Sequence, residues 1–286
     1  MNHADLIRRL STPLAPIRTD VSSKIQQLDI QALLFDIYGT LLISGVGDIA
    51  NADAHNEEAA QLAMSEAGLK PIPNAAQRLR EAIKCEHERL KADGQPYPEV
   101  DIREMWQAAI QQEASAEQIE LLAVGYELRV NPVWPMPHVG ETLSDLQHLP
   151  LGIISNAQFM TPQLFEPLTG KNLEEWGFEL RLCFYSFDGL GKRSNNRAAK
   201  PGRDLYQRAA DELANMGLSP SQTLYVGNDM KKDVWAAKQL GFCTALFAGD
   251  QRSLRLHKND ETLAGVLPDL VITDLSQLKD CLIERG

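Results

Sequence analysis

Short apolar runs alternate with polar segments along most of the chain, and the first run carries one acid. Residues 32–42 read ALLFDIYGTLL. A short run that is hydrophobic on both faces is typical of a buried parallel strand, and Gly39 then permits a sharp turn. Asp36 is therefore predicted near the carboxyl end of a strand, where open α/β sheets place their ligand sites. An Asp that only caps the next turn would also fit this stretch.

Five more apolar runs follow residue 150, with helical segments between them. They read LGIIS (151–155), LRLCFYS (180–186), TLYVG (223–227), CTALFA (243–248) and DLVIT (269–273). The intervening helices are predicted at 141–150, around 163–176, at 202–217, at 233–241, where Gly241 would end the helix, and after the last strand. Strands that alternate with helices predict an α/β fold with a doubly wound parallel sheet, covered on both faces.

The stretch from about residue 49 to residue 125 has a different pattern. Its apolar residues recur three and four positions apart with charges between them, and no strand candidate interrupts them. This pattern predicts about four helices, enough for a small all-helical domain inserted directly after the first strand. Residues 44–48 read as a flexible linker into this insertion, and the proline-rich residues 131–140 read as a stiff return linker.

The domain organisation follows from these patterns. We predict an N-terminal arm at 1–29, a core domain at 30–44 and 135–286, and a helical cap domain at 45–134. In the arm, LIRRL (6–10) and SSKIQQL (22–28) could form short helical turns. Packing against the domain or a partner chain is the expected role of the arm, and monomer and homodimer both remain open.

Composition narrows the range of partners. The formal net charge is −11, so a nucleic-acid partner is not expected. No apolar run approaches the roughly 18 residues of a membrane span, and the first residues lack the apolar region of a secretory signal. The four cysteines are far apart and form no CxxC pair, so free thiols in a reducing cytoplasm are expected.

Polar residues follow three of the predicted strands, and one more lies in the loop after a fourth strand. They are Asp36, Tyr38 and Thr40, then Ser155 and Asn156, then Lys200, and finally Asn228, Asp229 and Asp233. Taken singly, each group has a simpler explanation. Ser155 and Asn156 could cap a helix, Lys200 could be solvated, and the acids at 229 and 233 could only complement a helix dipole. The carboxyl ends of parallel strands meet at one edge, so together these residues predict a functional site there.

The order of these residues resembles the haloacid dehalogenase-like hydrolase superfamily, in the type whose helical cap is inserted after the first motif. The motifs are DIYGT (36–40), GIISN ending near Ser155, Lys200 before Pro201, and VGNDMKKD (226–233). The resemblance covers roughly residues 30–280. It implies a Rossmann-like core and a nucleophilic aspartate that forms a covalent intermediate.

The resemblance also implies a role for each motif residue. Asp36 would be the nucleophile, and Ser155 and Lys200 would hold the oxyanions of the group that it attacks. Mg²⁺ would be bound by oxygens of Asp36, the Tyr38 backbone carbonyl, Asn228, Asp229 and Asp233. The expected partner is a small phosphorylated metabolite that the cap admits and seals off.

Two positions depart from the phosphatases of this superfamily. Tyr38 stands where they carry a second aspartate that protonates the leaving group, and a phenol with a pKa of about 10 is a poor proton donor near neutrality. Asn228 stands where the first acid of the fourth motif usually lies, with Asp229 one residue later. Which of these two residues would face the metal stays open.

Three functions are consistent with this pattern. A magnesium-dependent phosphohydrolase fits the acidic fourth motif best. A metal-free 2-haloacid dehalogenase fits Tyr38, but not that motif, and no arginine occurs between Asp36 and Arg78. A protein of weak catalysis that binds a ligand or partner is the third.

Candidate contacts to a substrate complete the predicted site. Thr40 and Asn156 are candidates in the core, and His55, Asn56, Tyr97 and Arg103 are candidates in the cap. Each of the cap residues would equally fit a solvated helix or loop.

Overall fold

The computed structural model describes residues 2–47, 57–189 and 199–283. Its strands are β1 (Ala32–Phe35), β2 (Leu42–Ser44), β3 (Val133–Pro135), β4 (Leu151–Ser155), β5 (Phe178–Tyr185), β6 (Thr223–Gly227), β7 (Cys243–Phe247) and β8 (Leu270–Ile272). Its α-helices are α1 (His3–Leu10), α2 (Glu57–Glu66), α3 (Ala75–Ala92), α4 (Ile102–Ile110), α5 (Ala116–Val130), α6 (Val139–Leu146), α7 (Phe165–Thr169), α8 (Asp204–Asn215) and α9 (Ala236–Lys238). Within these ranges, no helix is both long and apolar enough to cross a bilayer.

Six strands form one parallel sheet in the order β5-β4-β1-β6-β7-β8, which confirms the predicted doubly wound fold. All four residues of β1 are buried, and alternate side chains of a strand point to opposite faces. Leu33 and Phe35 accordingly belong to one apolar cluster, and Ala32 and Leu34 belong to the other. Because β1 lies at the centre of the sheet, Asp36 emerges at the middle of its carboxyl edge.

The predicted insertion contains the four helices α2 to α5. Helix α2 packs against α5, α3 packs against α4, and α4 also contacts α5. Trp106 of α4 meets Tyr126 of α5 edge to face, with ring centroids 5.0 Å apart. Ser115 and Gln118 form a capping box that satisfies the first amides of α5. The all-helical character of this segment is as expected, while its division from the core as a separate domain stays a prediction.

The two segments read as linkers are instead partly strand. β2 and β3 pair in an antiparallel ribbon in which Ser44 lies opposite Val133 and Leu42 lies opposite Pro135. In the sequence, residues 32–42 form one continuous apolar run, which hides the start of β2. Strands of three residues, such as β2 and β3, are also too short to show the alternation of apolar and polar residues typical of a strand. The pairing joins positions 89 to 93 residues apart in the chain, so local pattern could not predict it.

The N-terminal arm also differs from expectation in its second half. The helical turn predicted for residues 6–10 lies within a helix that begins three residues earlier, at His3, but SSKIQQL (22–28) is extended rather than helical. Lys24 exchanges backbone hydrogen bonds of 2.8 and 2.9 Å with Val271 of the edge strand β8. An edge strand has free backbone groups, and these compete with the weak helical preference of a short segment.

Helix α1 lies between the helical insertion and the core. Leu6 and Ile7 are fully buried, and Arg9 pairs with Glu66 of α2 at 2.8 Å. His3 bonds Gln163, which lies in the short helical turn before α7, at 2.8 Å. The arm therefore contacts both parts of the molecule.

The helix predicted from Asp233 begins earlier and is irregular. A π-helical turn spans Met230–Trp235, and α9 continues it for three residues. Gly241 then takes a φ of 82°, as expected for a residue that follows a helix.

Candidate active site

Asp36 accepts two strong hydrogen bonds at the centre of the sheet edge. Its Oδ1 lies 2.8 Å from the Ser155 hydroxyl and 2.8 Å from the Lys200 ammonium. Ser155 is the last residue of the neighbouring strand β4, so parallel pairing with β1 brings the two side chains together. Asp36 remains 8% exposed and lines a cavity, which leaves its carboxylate within reach of a ligand.

Lys200 is the buried cation of the site. Its Nζ contacts Asp36, Asp233 at 2.6 Å and the Tyr225 hydroxyl at 3.0 Å. Burial alone would lower the pKa of Lys200, but the carboxylates of Asp233 and Asp36 outweigh burial and raise it. The lysine is therefore held charged between two acids. Asn156 fixes its backbone, because the Asn156 amide accepts from Lys200 N at 2.7 Å and donates to Lys200 O at 3.1 Å.

Asp233 reaches the same point from the π-helical turn after β6. Its Oδ1 contacts Lys200, and its Oδ2 accepts from the Asp229 amide at 2.9 Å. A Cβ on Gly227 would lie 2.4 Å from the Asp233 Cγ, so only glycine leaves room for this carboxylate. Burial raises the pKa of Asp233 to about 6, Lys200 opposes this, and the charges of Asp36 and Asp229 add to it. The site therefore holds more negative charge than Lys200 alone balances.

Asn228 and Asp229 are both buried and both already hydrogen-bonded. The Asn228 amide accepts from the Thr40 hydroxyl at 3.1 Å and donates to the Ser253 carbonyl at 2.7 Å. Asp229 caps the helical turn, since its Oδ1 accepts from two backbone amides, and the His257 Nε2 lies 2.9 Å from the same oxygen. Both residues line the cavity beside Asp36. Which of them would face a metal stays open.

Tyr38 lines the cavity, and its hydroxyl contacts the turn that follows β4 in the core. Its hydroxyl lies 3.1 Å from the Thr161 Oγ1. Burial raises the pKa of Tyr38 well above its usual value, and the nearby charges of Glu127 and Asp36 raise it further. Tyr38 is therefore protonated at neutral pH and holds its proton more tightly than an ordinary tyrosine. The structure thus gives no support for proton donation by Tyr38 to a leaving group.

The candidate substrate contacts have different surroundings. Thr40 is fully buried and Asn156 holds the Lys200 backbone, so both support the site from within. Arg103 pairs with Asp101 at 2.8 Å and with Glu120 at 3.2 Å. Contact of these three side chains with a substrate stays a prediction. His55 and Asn56 lie outside the described residues.

A cavity of about 1170 Å³ opens between the core edge and the helical insertion. Its core wall contains Asp36, Tyr38, Lys200 and the acids after β6, and its cap wall includes Arg80, Glu99 and Glu127. Burial raises the pKa of Glu127 to about 7, against a smaller opposing effect of Asn131. Burial likewise raises the pKa of Glu99, which hydrogen bonds oppose. Two carboxyl groups of the cap therefore face the same space as the predicted nucleophile.

The donor set suits a hard divalent cation. The candidate ligands Asp36, Asn228, Asp229, Asp233 and the Tyr38 carbonyl all offer oxygen, which Mg²⁺ prefers. The described residues do not contain three or more His, Cys, Asp or Glu side chains grouped as a metal site. Mg²⁺ commonly takes only one or two carboxylates and keeps several waters, so such a group is not required. The excess of carboxylates over Lys200 is the charge that a cation would balance.

Several polar residues of the site had no clear signal in the sequence. Tyr225 lies within β6, whose residues are all buried, so the sequence gives no sign that its hydroxyl contacts a polar group of the site. Gln158 follows Ser155 by three residues and could have been noticed from that spacing. Glu99 and Glu127 belong to segments rich in charge, and only the packing of the helices shows which charges face the cavity.

The family model described as "Hydrolase: haloacid dehalogenase-like hydrolase" matches residues 30–241. The chain is 26% identical to the glyceraldehyde 3-phosphate phosphatase of Methanothermobacter thermautotrophicus over 261 residues, which is 88% of this chain and 100% of that protein. It is 26% identical to the enzyme of the same name from Methanocaldococcus jannaschii over 159 residues, which is 54% of this chain and 59% of that protein.

Among solved structures, the fold is similar to that of a 2-haloacid dehalogenase from Pseudomonas syringae pv. Tomato DC3000. The TM-score is 0.50 at 19% identity, and the match covers 88% of this chain and 97% of the other. At that identity, the match concerns the fold alone.

Proposed function

The chain belongs to the haloacid dehalogenase-like hydrolases, and from that premise we propose that it is a magnesium-dependent phosphohydrolase for a small phosphorylated metabolite. One observation carries the proposal: Asp36 and Asp233 both contact the buried ammonium of Lys200, and the charge of Asp229 acts on Asp233 beside them. A carboxylate nucleophile needs such a cation beside it before a dianionic phosphate can approach. The glyceraldehyde 3-phosphate phosphatases at 26% identity support the same reaction class.

The chain's own residues supply the steps of the reaction. A carboxylate oxygen of Asp36 forms a bond to phosphorus, and the bond from phosphorus to the leaving oxygen breaks with its electron pair on that oxygen. Ser155 and Lys200, which both contact Asp36, would donate hydrogen bonds to the phosphoryl oxygens. Water then attacks the phosphorus of the aspartyl phosphate, which releases inorganic phosphate and restores the carboxylate.

The proposed metal adds charge to this arrangement. Asp36, the Tyr38 carbonyl and the acids after β6 would hold it, and bound Mg²⁺ would neutralise part of the phosphoryl charge. Asp233 and Lys200 keep their mutual contact near Asp36 and so maintain its position.

Proton transfer to the leaving group is the unusual feature of this site. Tyr38 occupies the position of the usual acid and holds its proton tightly, so an activated ester is the best substrate with which to detect turnover. We propose to measure phosphate release from an aryl or acyl phosphate with Mg²⁺ present and again after chelation. Release that stops on chelation supports the proposal, and equal release under both conditions contradicts its magnesium dependence.

The alternative favoured by Tyr38 is displacement of halide from a 2-haloacid, because halide needs no proton to leave. Chloride release from 2-chloropropionate, with no phosphate release from any ester, would establish that reaction instead. A protein inactive in both assays would be the third possibility, a catalytically weak binding protein.

A further inference from the structure

The segment between α3 and α4 contacts the core at several points: the Ala199 amide donates to the Tyr97 carbonyl at 2.9 Å, and the Gln158 side chain makes three hydrogen bonds. The Gln158 amide donates from Nε2 to the Val100 carbonyl at 2.9 Å and accepts at Oε1 from the Ile102 amide at 3.0 Å. The same Nε2 donates to the Glu99 Oε1 at 3.2 Å. One glutamine of the core therefore makes three hydrogen bonds to the cap segment 99–102, at residues 99, 100 and 102.

Gln158 is itself tied to the predicted site through its backbone. Its amide donates to the Thr161 Oγ1 at 3.2 Å, and that oxygen lies 3.1 Å from the Tyr38 hydroxyl. Gln158 also follows Ser155 by only three residues, so it starts from the same strand end as that hydroxyl. A shift of Gln158 would therefore move the cap segment relative to the reacting groups.

The carboxyl group that Gln158 holds belongs to Glu99. Its Oε1 also accepts from the Val100 amide at 3.0 Å, and the Ser186 hydroxyl bonds the same carboxyl group. Glu99 lines the cavity together with Asp36 and Lys200. The proposed mechanism assigns it no role, although burying a carboxyl group costs free energy.

We propose that Glu99 is a specificity-determining residue of the cavity, that Gln158 is its positioning residue, and that the pair selects phosphate esters with neutral, hydroxylated leaving groups. The inference rests on the proposed phosphohydrolase function. A carboxylate accepts hydrogen bonds from hydroxyl groups and repels a carboxylate on the leaving group. Three contacts from one amide keep the Glu99 segment in place without adding charge to the cavity.

The test compares two alkyl phosphates, glycerol 3-phosphate and 2-phosphoglycolate, at pH 8 with Mg²⁺. Both have poor leaving groups, so their ratio of kcat/KM reports recognition rather than the need for an acid. The wild-type ratio is expected to favour glycerol 3-phosphate by about tenfold or more, since placing like charges together costs more than 1.4 kcal/mol. Glu99→Gln should lower the ratio about tenfold, chiefly by improving phosphoglycolate.

Two further variants separate positioning from simple stability. Gln158→Met keeps the size of the side chain but removes its hydrogen bonds, so the ratio should fall about threefold through KM with little change in kcat. Glu104→Gln makes the same charge change at an exposed position on α4 outside the cavity lining, so its ratio should equal that of the wild type.

The outcomes distinguish this inference from the function on which it rests. Release from p-nitrophenyl phosphate together with unchanged ratios in Glu99→Gln and Gln158→Met would overturn the inference and leave the phosphohydrolase standing. No release from any of the three esters would overturn both. The inference would also be overturned if Glu104→Gln lowered the ratio as much as Glu99→Gln does, because the effect would then come from the overall charge of the protein.

Discussion

The two walls of the cavity satisfy their polar groups in different ways. On the core wall, Lys200 contacts two carboxylates and a hydroxyl, and Asp229 accepts from two backbone amides. On the cap wall, the Glu127 Oε1 and the Arg80 Nη1 are shielded from solvent and have no hydrogen-bond partner among the residues that the structure describes. The charged groups named on the core wall are therefore paired, although the buried Ser253 Oγ of that wall has no partner among the described residues, whereas the cap wall leaves one carboxylate oxygen and one guanidinium nitrogen unpaired within the same part of the chain.

This difference teaches where chemistry and recognition are set. The core positions its charges through bonds to its own strands and turns, so the reacting groups are arranged before any ligand binds. The cap brings carboxyl groups on long side chains, and one of their oxygens, the Glu127 Oε1, is buried without a partner among the described residues, which costs about 1–3 kcal/mol. Substitutions on the core wall should therefore change the reaction itself, and those on the cap wall should change stability and selectivity.

The strongest test of this comparison is removal of the nucleophile. Asp36→Asn should lower phosphate release by on the order of 10⁴-fold or more, because a neutral amide cannot form the acyl phosphate. The fold should persist, since Lys200 keeps its contact with Asp233. Single-turnover trapping of a phosphorylated protein should succeed in the wild type and fail in the variant. Unchanged turnover in Asp36→Asn would exclude the covalent mechanism.

Removing the buried cation should damage both activity and stability. Lys200→Met leaves Asp36 and Asp233 without their counter-charge, which should cost about 3–5 kcal/mol in the free energy of unfolding. Turnover should fall by on the order of 10²–10³-fold through loss of the oxyanion contact. Denaturant titration measures the first effect. The double variant Lys200→Met/Asp233→Asn should recover part of the lost stability but not the activity. If Lys200→Met alone were as stable as the wild type, the core wall would not depend on this ion pair.

Exchange at Tyr38 tests whether the core lacks a proton donor. Tyr38→Asp should raise kcat/KM for an alkyl phosphate by about tenfold or more and change that for an aryl phosphate little, because only the alkoxide leaving group needs a proton. Tyr38→Phe is the control. It loses only the contact with Thr161, so both rates should stay within about threefold. A large loss of alkyl phosphate turnover in Tyr38→Phe would show that the phenol does take part.

Substitution of Glu127 in the cap should have the smallest effect on catalysis but a clear effect on stability. The pKa of Glu127 is raised to about 7 in the folded protein, so the folded state binds its proton more tightly than the unfolded state. Folding stability is therefore lost as the pH rises from about 4.5 through 7. Glu127→Gln should remove this loss and be more stable than the wild type at pH 8, by up to about 3 kcal/mol.

Denaturant titrations at pH 5 and pH 8 measure this difference. Glu117→Gln on the exposed face of the same helix should leave the pH dependence unchanged. If the difference in free energy of unfolding between the wild type and Glu127→Gln were the same at pH 5 and pH 8, Glu127 would not be buried as a carboxylic acid.

The sequence predicted the core wall far better than the cap wall, for a physical reason. Asp36, Ser155 and Asp233 come at or soon after the ends of parallel strands, and strand topology alone brings such positions to one edge. On a helix, the chain position does not tell which face meets the cavity, so Glu127 of α5 could not be singled out. Glu99 lies in the irregular segment between α3 and α4, where no periodic pattern marks the side chains that face inward. The extended residues 22–28 and the ribbon of β2 and β3 depend on pairing across long separations, which local patterns do not record.

The ribbon has a consequence for how this molecule can be rebuilt. Ser44 and Val133 are paired residues, so the chain leaves the core and returns to it at neighbouring points. Joining two such points by a tight turn closes a short loop at little entropic cost. We therefore predict that the intervening helices form an exchangeable unit: a different insertion grafted between the same two strands would keep Asp36 and Lys200 and bring its own selectivity, provided that it also replaces the contacts of α1 with α2 and α5.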